Sequence, residues 1–395
     1  MIIPTEYQAG YAKAREIDPI VADHYMRHTM IGDPACDAVI DLLNTLPREK
    51  GYGWIERGIE DGPDAIPDAP ELIRDFFADL EKPPAWFDHE ATYAGGSAFF
   101  RNGEMFILAV TGAIMVEGFS TMMSKSFSIT GRMVDGAVKR LQQNTRHIIE
   151  IMLPGGLDRQ SDGWKLSLRT RLVHARVRNL LKHSDEWDTP AWGTPLSAAH
   201  ISLAVCAFSA LLLKRVGQLG VHLTTEERES FVHVWRYSGY LMGVQPDLDA
   251  ATEADAMHLL AIGATCEPPP GMESIMLANA MINSSPLMVG LNEPAERQKW
   301  ARWMHEVSRS LMGDEFADQL KYPPSRYRFI SILTRIRWSN QIDQILRTMF
   351  PFIERKRHTH QFRRLLDISY YSDKGLRYTV PHHVHSEKDT QNEFR

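Results

Sequence analysis

The sequence has few cysteines, and their arrangement excludes several classes of protein. Only Cys36, Cys206 and Cys266 occur in 395 residues. Their number is odd, they lie far apart, and no Cys-x-x-Cys pair is present, which does not fit a disulfide framework, a zinc ribbon or a cofactor attached through paired thiols. A reducing compartment is therefore expected. A chain of this length can bury a large core without disulfides or structural metals.

Long hydrophobic runs are missing as well. The longest apolar stretches, residues 106–116 and 200–213, contain polar residues and are shorter than the ~20 residues that a membrane span needs. The N-terminal residues show no basic stretch followed by an apolar segment, so no secretory signal is expected and a cytoplasmic location is predicted. The formal net charge of −6 does not favour nucleic-acid binding.

Alternating strand patterns are rare, whereas apolar residues recur at helical spacing almost throughout the sequence. We therefore predict an all-α protein with a single large helical domain. Pro154-Gly155-Gly156 should end one helix, and Thr224 with Glu227 has the spacing of a capping box at the start of another. The predicted helices cover residues 71–80, 96–123, 133–153, 163–183, 196–219 and 225–242.

No internal repeat or linker divides the sequence, so two regions are treated as additions to one main domain. Residues 1–70 are expected to form helices and a loop that pack on the core, and residues 71–350 the main domain. Residues 351–395 form a basic, histidine-rich extension. Its basic region Arg355–Arg364 could contact acidic lipid head groups, and its histidine cluster at 382–385 could bind a metal. Solvent exposure is the common alternative for both.

One predicted helix, 163–183, carries a pattern that points to chemistry. His174 lies at the edge of its apolar stripe, with Arg171 three residues before and Arg178 four residues after. These spacings place the three side chains on one face. Two permanent cations disfavour a charged imidazole, so the pattern suits a neutral histidine that binds a metal beside acidic groups. A haem supplies both, through its iron and its propionates. A structural histidine beside solvated arginines is the alternative.

Several segments, in order, resemble the latex-clearing proteins (rubber oxygenases) and the related fungal oxygenases that cleave terpenoid side chains. Together they cover roughly residues 80–250. The resemblance implies a globin-like central helical core around haem b. The segments are PPAWFD (83–88), FFRNGEMF (99–106), RLQQNTRHIIEIMLPGGL (140–157), RLVHARVR around His174, WGTPLSAAHISLAVCAFS (192–209) and HVWRYSGYLMGVQPDL (233–248).

The resemblance also implies roles for single residues. His174 matches the proximal ligand of the haem iron, while Arg140 and Thr145 resemble an arginine–threonine pair on the distal helix. That pair is four residues apart in the family and five apart here, so alignment on Arg140 puts Asn144 at the threonine position. Both assignments stay open. The rubber-cleaving members have a lysine just before that threonine, but Gln143 and Asn144 stand at the matching positions here.

Glu117 is the remaining candidate for chemistry. It lies in the apolar segment MVEGFS, where a carboxyl group could act as a buried acid or base near the pocket. Pairing with an arginine is the alternative role, and the sequence does not separate the two.

The expected function is that of a haem b oxygenase that uses dioxygen. The expected substrate is apolar, unsaturated and isoprenoid-like, and the expected reaction is oxidative cleavage of a carbon–carbon double bond. Without a secretory signal, a small diffusible substrate is expected rather than rubber. A haem protein with another role (sensor, carrier or peroxidase-like) and a cofactor-free lipid- or terpenoid-binding protein are the alternatives. A carboxylate-bridged di-iron oxygenase is not favoured, because no Glu-x-x-His occurs.

Overall fold

The computed structural model describes residues 1–130, 137–325, 332–349, 361–366 and 384, except for the side chains of 137–140 and 343–348. Helices joined by turns make up this part of the chain, which contains no strand. The all-α prediction is thereby confirmed. The histidine cluster at 382–385 and most of the basic region at 355–364 lie outside the described residues.

The α-helices of the described part are numbered α1 to α20 in chain order. They are α1 (Gln8–Ile17), α2 (Pro19–His28), α3 (Pro34–Asn44), α4 (Arg48–Asp61), α5 (Glu71–Leu80), α6 (Tyr93–Arg101), α7 (Gly103–Ala109), α8 (Met115–Phe119), α9 (Met123–Ile129), α10 (Ala137–Met152), α11 (Asp162–Lys182), α12 (Thr189–Trp192), α13 (Ala198–Cys206), α14 (Leu212–Gln218), α15 (Thr225–Leu241), α16 (Glu253–Cys266), α17 (Met272–Met288), α18 (Pro294–Met312), α19 (Asp314–Gln319) and α20 (Ile332–Met349).

Local signals set several of these boundaries. Helix α5 has the predicted bounds. At the start of α15, the Thr224 hydroxyl accepts from the Glu227 amide at 3.2 Å and the Glu227 carboxylate accepts from the Thr224 amide at 2.8 Å, which is the predicted capping box. Helix α10 ends just before Pro154. Such boundaries depend on neighbours only a few residues away, so the sequence alone predicts them.

The helix predicted over residues 96–123 is instead divided, and its two main parts meet at an angle of 86°. The Asn102 side-chain amide donates to the Ala98 carbonyl at 3.0 Å and takes the place of the backbone amide that would continue α6. The bend also lets the backbone at Gly103 approach Leu365, where a Cβ atom would lie 2.5 Å from that side chain.

Two π-helical turns interrupt the apolar helices at the centre of the molecule. One covers Val110–Ile114 between α7 and α8, and the other covers Ala207–Leu211 between α13 and α14. The two turns pack against each other. Short π-turns inside longer helices occur frequently at functional sites.

The main hydrophobic core joins residues from α3 to the helical turn at 361–366, so the N-terminal helices contribute to it directly. A second cluster lies between α1, α2, α13 and α16. There the buried Glu267 carboxylate accepts from Tyr25 at 2.7 Å and lies 3.2 Å from His200, which contacts Tyr7 at 3.0 Å. The division of the chain at residues 70 and 350 stays a prediction.

One described helical stretch, Ala198–Gln218, is long and apolar enough to cross a membrane. In this fold, 78% of its apolar window is buried by other parts of the chain. The bent pair Glu90–Arg101 and Gly103–Phe119 passes the same test only if both parts are counted as one span. Burial of this degree is what the central helix of a folded domain shows.

Candidate functional site

Helices α10 and α11 form a consecutive pair whose contacts fix their relative register. A Cβ atom at Gly163 would lie 2.8 Å from the Glu150 carbonyl carbon, so a glycine permits the close approach near the connecting loop. Further along, Ser167 Oγ lies 2.8 Å from His147 Nε2. Gly163 meets Glu150, and Ser167, further along α11, meets His147, which comes earlier in α10. The two helices therefore run antiparallel.

His147 lies inside this helix pair and does not belong to the residues that sequence analysis singled out. Its ring is buried and packs edge-on against Trp235 at 6.1 Å between ring centroids. The contact with Ser167 continues to Ser238 of α15, 3.0 Å away. Burial disfavours the charged imidazolium and lowers the pKa of His147 from 6.5 to about 4. His147 is therefore a neutral group that links α10, α11 and α15.

His174 follows Ser167 by seven residues, which is two helical turns, so it lies on the same face of α11. That face meets α10 at His147. Extending the antiparallel register brings His174 level with residues 139–140 of α10. The imidazole is half-buried, and its Nδ1 atom is shielded from solvent. The structure thus places the predicted metal ligand on the face of α11 that carries Ser167, and the register puts it level with the first turn of α10, which holds Arg140.

The structure separates the two residues that the sequence left open for the distal threonine position. Thr145 is two residues from His147, a rotation of about 200° around the helix axis, and it is fully buried on the side of α10 away from α11. Asn144 lies about 60° around the helix axis from His147 and about 40° from Arg140. The helical geometry therefore favours Asn144 over Thr145 on the face toward His174. Arg140 lies within α10, but its side chain is outside the described residues.

The two arginines predicted to hold acidic groups of a cofactor contact acidic groups of this chain. Arg171 donates to both carboxylate oxygens of Asp33, at 2.5 and 2.8 Å. Arg178 donates to Asp37 at 3.1 Å and to the Leu196 carbonyl at 3.0 Å. Both guanidinium groups are buried. In this structure they fasten α11 to α3.

Glu117 pairs with an arginine, as the second of its two expected roles requires, and its role as a buried acid or base stays a prediction. Its carboxylate forms an ion pair with Arg215, whose Nε donates to it at 3.1 Å. Arg215 also donates to the Leu311 carbonyl. Burial raises the pKa of Glu117, although the Arg215 guanidinium opposes that shift. The pair joins α8, α14 and α18 within the core.

The donor set fits a haem better than a metal held by protein side chains alone. A protein-only site takes three or four ligands, and the described residues contain no cluster of three histidine, cysteine or acidic side chains that could hold an ion. Burial raises the pKa of the Cys36, Cys206 and Cys266 thiols, so none of them is a ready thiolate ligand. A single imidazole on a core helix is what an axial haem ligand requires.

Sequence reasoning missed His147, Asp33 and Asp37. The signal for His147 was present, because it stands seven residues after Arg140 and so shares its helix face. The two aspartates had no such signal. They lie more than 130 residues before their arginine partners, and their side chains meet only when α3 packs on α11.

Comparison with known proteins shows the family and the fold of this chain. The family described as ER-bound oxygenase mpaB/B'/rubber oxygenase, catalytic domain, matches residues 99–338, more than half of the chain. The rubber oxygenase of Streptomyces sp. (strain K30) is 27% identical over 237 residues, which are 56% of this chain and 54% of that protein. The chain thus spans about half the length of this curated relative.

A solved structure has the same fold. The latex clearing protein LCP in the closed state gives a TM-score of 0.63 at 18% identity, with 89% of this chain and 94% of that chain covered. The resemblance found in the sequence is confirmed. The chain belongs to the family of ER-bound oxygenase mpaB/B'/rubber oxygenase catalytic domains.

Proposed function

We propose that this protein is a haem b-dependent oxygenase that uses dioxygen to cleave a carbon–carbon double bond in an apolar, isoprenoid-like substrate. The observation that carries the proposal is the position of His174. Its half-buried imidazole lies on the face of α11 that meets α10, in a chain of an oxygenase family.

His174 would hold the haem iron, and the haem, when bound, supplies the activation of dioxygen. The polypeptide supplies position and environment. The buried pairs Arg171–Asp33 and Arg178–Asp37 fix α11 against α3 and thereby hold the His174 ring in place. Arg171 and Arg178 are thus positioning residues in the present geometry, and contact with haem propionates would require them to leave these aspartates.

The α10 side of the site would orient the substrate and the oxygen. Arg140 is level with His174 along the helix pair, and a guanidinium group there would stabilise developing negative charge on oxygen. Asn144 would add an amide donor on the same face. The buried, neutral His147 lies deeper between the helices and keeps α10 at a fixed distance from α11.

The substrate class follows from the family and from the apolar interior. The Streptomyces relative is named a rubber oxygenase, and we propose a smaller, diffusible unsaturated chain for this protein. We also propose a cytoplasmic location, since all three cysteines are unpaired and buried, as expected in a reducing compartment. Contact of the basic region at 355–364 with acidic lipid head groups stays a prediction that vesicle sedimentation would test.

Ultraviolet–visible spectra of the protein purified from haem-replete cells test the cofactor. The wild type should show a Soret band, and His174→Ala should lose most of it. His183→Ala is the matched control, because His183 lies at the end of the same helix, is exposed and hydrogen-bonds to the Asn179 carbonyl. Loss of the band in both variants, or in neither, would contradict the assignment of His174.

Product analysis tests the reaction separately. Wild-type protein incubated with a short unsaturated isoprenoid under ¹⁸O-labelled dioxygen should yield carbonyl products that contain the label. A Soret band without such products would favour the sensor, carrier or peroxidase-like alternative. No Soret band in the wild type would favour a cofactor-free binder of oily molecules.

A further inference from the structure

Helix α20 carries large apolar side chains that are exposed. Trp338, Ile342 and Met349 are 62%, 59% and 64% exposed. Successive residues of a helix are about 100° apart, so Ile342 lies about 40° and Met349 about 20° around the axis from Trp338. The three side chains therefore share one face. Single exposed apolar residues are ordinary, whereas a group of them on one face marks an interaction site.

The opposite face of α20 already packs on the protein. Leu333 is buried in the main hydrophobic core, and the Asn340 side chain donates to the Leu219 carbonyl at 2.7 Å. These two residues lie about 140° and 160° around the axis from Trp338. Their contacts hold α20 against α18 and the end of α14, with the Trp338 face outward. The helix cannot turn that face inward without losing its contacts with the core.

The charges beside the exposed face are positive. The charged side chains that the structure describes on α20 are those of Arg335 and Arg337, and both are exposed. Arg335 lies about 60° from Trp338, at the edge of the apolar face. The sequence then continues into the basic region at 355–364, although the whole chain has a formal net charge of −6. This local positive charge attracts an acidic surface and opposes pairing of the face with a second copy of itself.

We propose that the exposed face of α20 is a membrane-contact site, at which Trp338, Ile342 and Met349 enter the head-group layer of a bilayer that contains acidic lipids. Tryptophan favours this layer because its ring is mostly apolar and has one polar N–H group. The arginine guanidinium groups stay at the lipid phosphates while the apolar side chains enter. The face runs about 16 Å along the helix from Trp338 to Met349, which suits a flat bilayer surface.

Sedimentation of the full-length protein with lipid vesicles tests this site. The wild type should bind phosphatidylcholine vesicles that contain about 30% phosphatidylserine at least tenfold more tightly than vesicles of phosphatidylcholine alone, and about 0.5 M NaCl should remove most of the difference. The double variant Trp338→Ser, Ile342→Ser should bind the acidic vesicles at least tenfold more weakly, because it removes the apolar area that the bilayer would bury. Arg335→Gln should weaken this binding about fivefold.

Leu72→Ser is the matched control for the double variant. Leu72 is a large apolar residue that is 42% exposed, but it lies on α5, which packs against α3 and α4. Its replacement should leave vesicle binding unchanged. Circular dichroism melts check that each variant is folded, and Ile342→Asp alone replaces the double variant if that variant is not.

A fluorescent label tests the orientation of the protein on the vesicle. The three native cysteines are buried, so a cysteine introduced at the surface can be labelled selectively with the environment-sensitive dye NBD. The label in Ile342→Cys should brighten severalfold on acidic vesicles, because it enters an apolar layer. The label in Leu72→Cys should not change.

Several results would overturn the inference. They are equal binding to acidic and neutral vesicles, equal brightening of the two labels, or wild-type binding by the double variant, which would assign the contact to the basic region alone. A wild type that is dimeric without vesicles, with a monomeric double variant, would overturn it in favour of a second copy of the chain. The haem has no part in these measurements, so His174→Ala should bind vesicles as the wild type does. Failure of the proposed function and failure of this site are therefore distinguishable.

Discussion

Acid should destabilise this protein in a way that can be assigned to one side chain, His147. The imidazole is buried between α10, α11 and α15, and burial lowers its pKa from 6.5 to about 4. Between these two values the unfolded chain binds a proton at His147 and the folded chain does not. The free energy of unfolding is therefore fully present above pH 6.5 and falls as the pH is lowered toward 4.

The magnitude follows from the size of this shift. Each pH unit within the window corresponds to about 1.4 kcal/mol of unfolding free energy. Lowering the pH from 7 to 5 should therefore reduce the free energy of unfolding by about 2 kcal/mol through His147 alone. The full reduction, reached near pH 4, should be about 3 kcal/mol.

Urea unfolding followed by circular dichroism at pH 7 and pH 5 measures this loss. Other groups also titrate, so the informative quantity is the difference between wild type and His147→Gln, whose amide nitrogen reaches about as far as Nε2 and can still contact Ser167 but does not titrate. The wild type should lose about 2 kcal/mol more than the variant between the two pH values.

Ser167→Ala provides the control. It removes the hydrogen bond to His147 but keeps the ring buried, and burial is the cause of the shifted pKa. This variant should therefore retain the pH dependence of the wild type. An equal pH dependence in wild type and His147→Gln would refute the reasoning, because it would show that His147 accepts a proton in the folded state without penalty.

Three further predictions use the same denaturation assay. Asp33→Ala should lower the free energy of unfolding by about 3–5 kcal/mol, because it leaves the buried Arg171 guanidinium without its carboxylate. Adding Arg171→Met should recover part of this loss. No recovery would mean that the loss does not come from an unpaired charge. Glu117→Gln should lower the free energy of unfolding by about 3 kcal/mol, because it removes the charge opposite Arg215. A loss near zero would show that the pair is solvated. Thr224→Ala should cost about 1 kcal/mol through loss of the capping box, and an unchanged midpoint would contradict that role.

The candidate site was only partly predictable from the sequence. The spacing of Arg171, His174 and Arg178 correctly places the three on one helix, because an i, i+3, i+7 pattern depends on helix geometry alone. The same spacing does not reveal what each side chain meets. Arg171 and Arg178 were assigned to a cofactor, whereas in the folded chain they contact Asp33 and Asp37.

The position of the distal polar residue shows the same limit. In the sequence, Thr145 and Asn144 are equally plausible, since they differ by one residue. Within α10, that one residue is a rotation of about 100°. The contact between His147 and Ser167 identifies the face toward α11, and only this tertiary contact favours Asn144.

The sequence by itself determined the all-helical class, the bounds of α5, the capping box of α15 and the helix that carries His174. These features depend on interactions between residues a few positions apart, which the order of amino acids specifies directly. The tertiary structure alone decided the two contacting π-turns and the aspartate partners of the arginines. Each of these requires side chains from distant parts of the chain to pack together, and helical periodicity carries no information about which distant face a side chain will meet.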